Sequence, residues 1–182
     1  MSRLPPFDLE ALDPEQRAVA DAIVAGPRGG LRGPFQAWLS SPQLAERAQL
    51  LGEYCRFGST LADDVRELAI ILAGKHWGAR FEFWAHARLA RQVGLPEEVI
   101  EAVRTGQRPS FARDDLQVAY DLVTESLEAH RVSDTTFARA VSTFGDRGVV
   151  DLIGTVGYYS LVSLTLNAFE VDVPEGETNP LD

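Results

Sequence analysis

The sequence predicts an all-α, single-domain bundle of about seven or eight helices. Three observations lead there. Caps followed by proline recur at Asp13-Pro14 and Ser41-Pro42, the pairing that opens a helix, and Ser133 stands as a further N-cap. Apolar residues return at 3.6-residue spacing, as in Val65, Leu68, Ala69 and Leu72, with His76 continuing the stripe. No run alternates apolar and polar residues as a half-buried strand would.

In chain order, Asp13-Pro14 starts a first helix that Gly26-Pro27 closes. The stretch GPRGGLRGP is too rich in glycine and proline for regular structure. A short helical piece is expected over 35–39. Ser41-Pro42 opens the next helix, which Gly58 ends. A helix over 62–76 and another over 79–93 follow, the second ending at Gly94, where a left-handed C-cap fits. Pro96 opens a short helix through Arg104. After TGQRPSF, Arg113 or Asp114 begins a helix carrying Leu116, Ala119, Tyr120, Val123 and Leu127. Ser133 caps one more, ending at Gly145, and an apolar helix runs on to Phe169. Residues 1–12 and 172–182 are expected to be loose termini of a domain spanning 1–182.

Length and composition set limits on function. The chain has 182 residues, and 45% of them are hydrophobic, enough for a core without disulfides or metal. Seventeen basic residues stand against 27 acidic ones, a net charge of −10. That balance disfavours nucleic acid and anionic membrane surfaces as partners. One cysteine, Cys55, excludes an internal disulfide, a cysteine zinc site and a two-cysteine redox motif. The opening MSRLPPFDLE has no apolar signal core, so a cytoplasmic location is expected. The uncharged segment 152–169 only reaches the ~18 residues at which membrane spanning becomes possible. Its glycines, serines and threonines, with Asp151 at its entrance, favour a buried helix or a subunit contact.

The densest polar cluster within apolar sequence is RELAIILAGKHWGARFEFWAHARLA, residues 66–90. Glu82 and His86 are four apart and share one helix face. A turn at Trp77-Gly78 folds the two helices antiparallel and sets position 67 opposite 87, bringing Glu67 close to His86. His76 lies at the mouth of the same turn, and Trp77, Phe81, Phe83 and Trp84 surround the group. Two carboxylates and an imidazole between apolar walls suit proton transfer. Ordinary structural roles remain open for each: a hydrogen-bonded His86, a Glu67 paired with Arg66, Arg80 or Arg88, a Glu82 at a helix N-terminus, and aromatics that fill the core. Arg32 and Arg56 are candidates to hold a substrate carboxylate. Tyr158 and Tyr159 could turn a hydroxyl into a pocket or pack at a subunit interface.

These residues resemble the carboxymuconolactone decarboxylase and alkylhydroperoxidase-D-like family. Its peroxidase branch carries a Glu, eleven residues, a Cys, two residues, a second Cys, three residues and a His. Begun at Glu67, that pattern puts its cysteines at Ala79 and Glu82 and its histidine at His86. Glu67 and His86 match; both cysteine positions depart. The decarboxylase branch resembles Glu-x-x-x-His, here EFWAH, Glu82 through His86. The flanks RGPFQAWLSSP and GTVGYYSLVSLTLNAFEV are also similar, and the likeness covers roughly residues 31–175.

The resemblance implies an all-α fold assembled as a trimer or hexamer, acting on a small-molecule substrate without metal or cofactor. Carboxylate and imidazole at this spacing can ligate zinc or iron, yet the family fold is not generally metal-dependent. The peroxidase reaction needs a thiolate that this motif lacks, and Cys55 sits in GEYCRFG, outside it. The decarboxylase reaction, on a carboxylated lactone of aromatic catabolism, asks for a proton delivered to an enolate carbon. It implies His86 as donor or shuttle, Glu67 as its orienting carboxylate and Glu82 as a second carboxylate, with His76, Trp77, Trp84, Arg32 and Arg56 against the substrate. A peroxide-reducing protein and a catalytically silent ligand-binding member are the alternatives. Gly154, Gly157, Ser160 and Ser163 would let another helix approach closely, so a homo-oligomer is expected.

Overall fold

The computed structural model describes residues 3–4 and 8–182, and among them it contains helices and no strand. Helix α1 (Pro14–Ala25) opens with a reciprocal cap: Asp13 Oδ1 accepts from Gln16 N at 2.8 Å, and the Gln16 side chain accepts from Asp13 N at 3.1 Å. This pairing satisfies two amides that have no partner inside the helix. The glycine-rich loop follows, then α2 (Phe35–Trp38) and α3 (Pro42–Glu53), which runs into a π-helical turn at Tyr54–Gly58. Ser41 makes no side-chain cap, so proline alone favours the start of α3. Helices α4 (Asp63–His76) and α5 (Arg80–Gln92) form the expected antiparallel pair around Gly78, whose φ of +61° suits a residue without a side chain. Helices α6 (Glu97–Thr105), α7 (Asp114–Glu128) and α8 (Asp134–Ala168) complete the chain.

Helix α4 is the axis of the molecule, with α5, α7 and α8 packed around it. Leu68, Ala69, Ile70 and Ile71 are all fully buried. A single expected stripe is therefore too narrow a description: Leu72 is half-buried and His76 exposed, whereas Ile70, Ile71 and Ala73 are sealed by the surrounding helices. A helix wrapped on several sides is apolar on several sides.

Helix α8 breaks at Gly145 (φ 67°, ψ 170°), where the sequence places the end of one helix and the start of the next. Ser133 caps it as expected, accepting from Thr136 N. Its apolar second part is long enough to cross a membrane by length and composition, but 56% of that window is buried within the fold. Trp38 Nε1 donates to Thr165 Oγ1 at 3.0 Å and ties α2 to this helix.

The termini correct the expectation that both are loose. The tail after α8 has no helix, but it is docked: Arg80 pairs with Asp172 and Asp182, Arg104 donates to the Pro180 carbonyl, and Leu181 packs on the core. At the other end Arg3 N donates to the Phe169 carbonyl at 2.9 Å, and its guanidinium pairs with Glu170. The cause is charge. An acidic tail lies against arginines of α5 and α6, each exposed pair adding little but several acting together. Residues 1, 2 and 5–7, part of the expected loose N-terminus, lie outside the described residues.

Candidate active site

The α4–α5 hairpin puts Glu67 and His86 side by side. Gly74 lets the helices close, since a Cβ there would sit 3.3 Å from Phe83 N. Glu67 Oε2 lies 2.6 Å from His86 Nδ1, and Glu82 Oε1 lies 3.0 Å from His86 Nε2. All three side chains are buried. An imidazole can hydrogen-bond to two carboxylates through both ring nitrogens only by carrying both protons. Burial alone would depress the His86 pKa, but Glu67 and then Glu82 outweigh it and raise it to about 9. At neutral pH the group is an imidazolium clamped between two carboxylates. Both ring nitrogens are engaged, and among the described residues no group of three His, Cys, Asp or Glu side chains is arranged to hold a metal ion.

His86 and Glu82 form part of the wall of a cavity of about 540 Å³, whereas Glu67 stands behind the imidazole. That volume suits a small-molecule ligand. The wall draws on six parts of the fold: the glycine-rich loop, the start of α2, the π-turn after α3, the outer face of α5, the middle of α8 and the tail. Arg32, Arg56 and Trp84 line it. Arg56 reaches it from the π-turn, which Asp151 of α8 anchors by accepting from Tyr54 Oη at 2.7 Å and from Thr60 N and Oγ1 at 2.8 Å. Burial would raise the Asp151 pKa, but these donors, Thr60 and Tyr54, outweigh it and lower it.

His76 and Trp77 do not join this cavity. His76 is exposed and lines a separate hollow of about 100 Å³ with Lys75 and Tyr120. Nine residues at about 100° each turn His76 half a revolution from Glu67 and carry it roughly 13 Å along the helix. Trp77 packs edge-on to His76 at 5.3 Å, and its carbonyl accepts from Asn167. Of the aromatics near the motif, Phe81 and Trp84 face the cavity, while Phe83 is core.

Other wall residues are not evident from the motif. Arg28, from the same loop as Arg32, sits with its guanidinium over the Phe35 ring at 5.2 Å, and Nη2 reaches Tyr158 Oη at 3.4 Å. Tyr159 packs edge-on against His86 at 5.0 Å, and its buried hydroxyl has no hydrogen-bond partner. Burial pushes the Tyr158 pKa up to about 12 and that of Tyr159 well above its usual value, so both keep their protons. Arg88 lies over the Trp84 ring at 5.0 Å. A second arginine in a glycine-proline loop was the available signal for Arg28, but spacing cannot say that both loop arginines turn inward.

From the tail, Glu177 accepts from Trp84 Nε1 and Arg88 Nη1, each at 3.2 Å, and Pro174 completes the rim. Cys55 is 2% exposed and does not line the cavity. Burial, the largest influence, pushes its thiol pKa up.

No protein-family model matches the chain, and no curated protein matches it in sequence. Among solved structures, it is similar to an uncharacterized peroxidase-related protein with an alkylhydroperoxidase AhpD core from Ralstonia eutropha JMP134. The TM-score is 0.77 at 15% identity, covering 96% of this chain and 93% of that one. The chain has the alkylhydroperoxidase AhpD-like all-α fold.

Proposed function

We propose that this protein is a cytoplasmic carboxy-lyase of the carboxymuconolactone decarboxylase type, acting on a small carboxylated lactone. The observation that carries the reading is His86, held between Glu67 and Glu82 at the wall of an arginine-lined cavity. Decarboxylation breaks one carbon–carbon bond. Carbon dioxide departs, the bonding pair stays in an extended enolate, and one proton from His86 Nε2 closes the new carbon–hydrogen bond. Solvent returns that proton to the imidazole. Glu67 holds the ring by its Nδ1 proton. Glu82, beside Nε2, keeps the imidazole charged between turnovers. Proton delivery by a positioned acid is worth ~10²–10⁴ in rate.

The test is purified protein with 4-carboxymuconolactone, following lactone consumption and released carbon dioxide, with His86→Ala as the control. Turnover that falls by about 10²-fold or more in the variant supports the reading. Equal turnover in both, or none in the wild type, removes it. The peroxidase-related name of the fold neighbour favours peroxide reduction as a second reading, for which Cys55 would be the only thiol in the chain. Its burial and raised pKa weigh against it, because the thiolate is the nucleophile. Peroxide consumption abolished by Cys55→Ser would reverse that order.

A further inference from the structure

The cavity keeps three of its arginines unpaired. Arg28, Arg32 and Arg56 have no carboxylate partner among the described residues, in a chain with 27 acidic residues against 17 basic ones. Arginines on such a surface readily find carboxylates, as Arg80, Arg91 and Arg104 do. Of the three, Arg28 is the most firmly built in. Its guanidinium rests on the Phe35 ring and reaches the Tyr158 hydroxyl, while its Nε is buried without any partner. On another side it packs closely against the end of α3, where only glycine fits: a Cβ at Gly52 would fall 2.2 Å from Arg28 Nη2 and 2.1 Å from Tyr158 Oη. A guanidinium that lines the cavity, held in place and without a carboxylate partner, keeps donors free for a bound anion.

We infer that Arg28 is the specificity-determining anchor of this cavity, binding a carboxylate of the ligand and so presenting its far end to Glu82 and His86. The inference rests on the reading of the cavity as a substrate site, but not on the reaction proposed for it. The ligand is a small organic acid. Its carboxylate is held at the loop wall by Arg28, and its reacting carbon lies at the α5 wall. Met at position 28 would keep an apolar stem over Phe35 and remove the donors.

The test is isothermal titration of the full chain with furan-2-carboxylate and with the uncharged furan-2-carboxamide. The wild type is expected to bind the acid tenfold or more tighter than the amide. Arg28→Met is expected to weaken the acid by about 10- to 100-fold, the usual worth of a charge-assisted pair, and to leave the amide unchanged. Arg131→Met, an exposed arginine far along the chain, should match the wild type. Equal affinity of wild type and Arg28→Met for the acid overturns the inference, as does a wild type that prefers the amide or binds neither probe. Should Arg28→Met fail to fold, Arg28→Lys replaces it. Loss of the two-pronged donor must still weaken the acid several-fold, and unchanged binding overturns the inference. Acid binding that depends on Arg28 in a protein inert toward the lactone would remove the proposed reaction and leave the anchor standing. Lactone turnover untouched by Arg28→Met would do the reverse.

Discussion

At the scale of the residue, the site is one buried positive charge held between two buried carboxylates. His86 is charged because Glu67 and Glu82 are there, and the two carboxylates tolerate burial because His86 lies between them. That mutual dependence fixes the sign of a pH effect. The folded-state pKa of His86, about 9, lies above the ordinary histidine value of 6.5. The protonated imidazole therefore contributes its full stability below pH 6.5 and loses it as the pH rises through about 9. Thermal denaturation of the wild type should show a melting temperature that falls across this window. In His86→Gln the part of the slope due to this group should vanish. The variant should also be less stable at pH 6 by about 3–5 kcal/mol, because two buried carboxylates lose their cation. A wild-type profile flat from pH 6 to 9.5 would mean that the fold does not raise the pKa of His86.

At the scale of the element, the tail is a strap across the cavity mouth. Glu177 offers a carboxylate to Arg88 and Trp84 at the rim, where an incoming acid would meet the same donors. Both members of the Glu177–Arg88 pair are substantially exposed, at 43% and 55%, so the strap adds at most ~1 kcal/mol to the fold. Glu177→Ala should leave the melting temperature almost unchanged while exposing Trp84. Iodide quenching of tryptophan fluorescence reads this out, since an anion enters an arginine-lined cavity readily. The quenching constant should rise in Glu177→Ala, and the rise should disappear in a Trp84→Phe background. An unchanged constant would mean that the tail does not control access.

At the scale of the whole molecule, the fold was legible wherever local chemistry decides it. The Asp13 cap, the turn at Gly78, the break at Gly145 and the Glu67–His86 contact all follow from short-range spacing, and the structure contains each of them. What spacing could not show was long-range. Arg28 meets Tyr158 across 130 positions of chain, and Glu177 meets Trp84 across 93. The docked tail belongs to the same class. The outward face of α8 is the remaining long-range feature. Val150, Ile153, Leu161 and Leu164 are exposed there, and Gly154 and Gly157 between them leave open space. The neighbouring end of α3 and its π-turn expose Leu50, Leu51, Tyr54 and Phe57. Apolar side chains in a run along one helix, with glycines at its middle, suit close packing against an equivalent helix. We propose that a second copy of the chain covers this face. Light scattering coupled to size exclusion at micromolar concentration should then give a mass at least twice the 20.0 kDa of the chain. The double variant Leu161→Glu/Leu164→Glu should elute as a folded monomer, because its charges remain solvated only when the face is free. A wild type that is monomeric under these conditions would leave the face unpaired and remove the assembly.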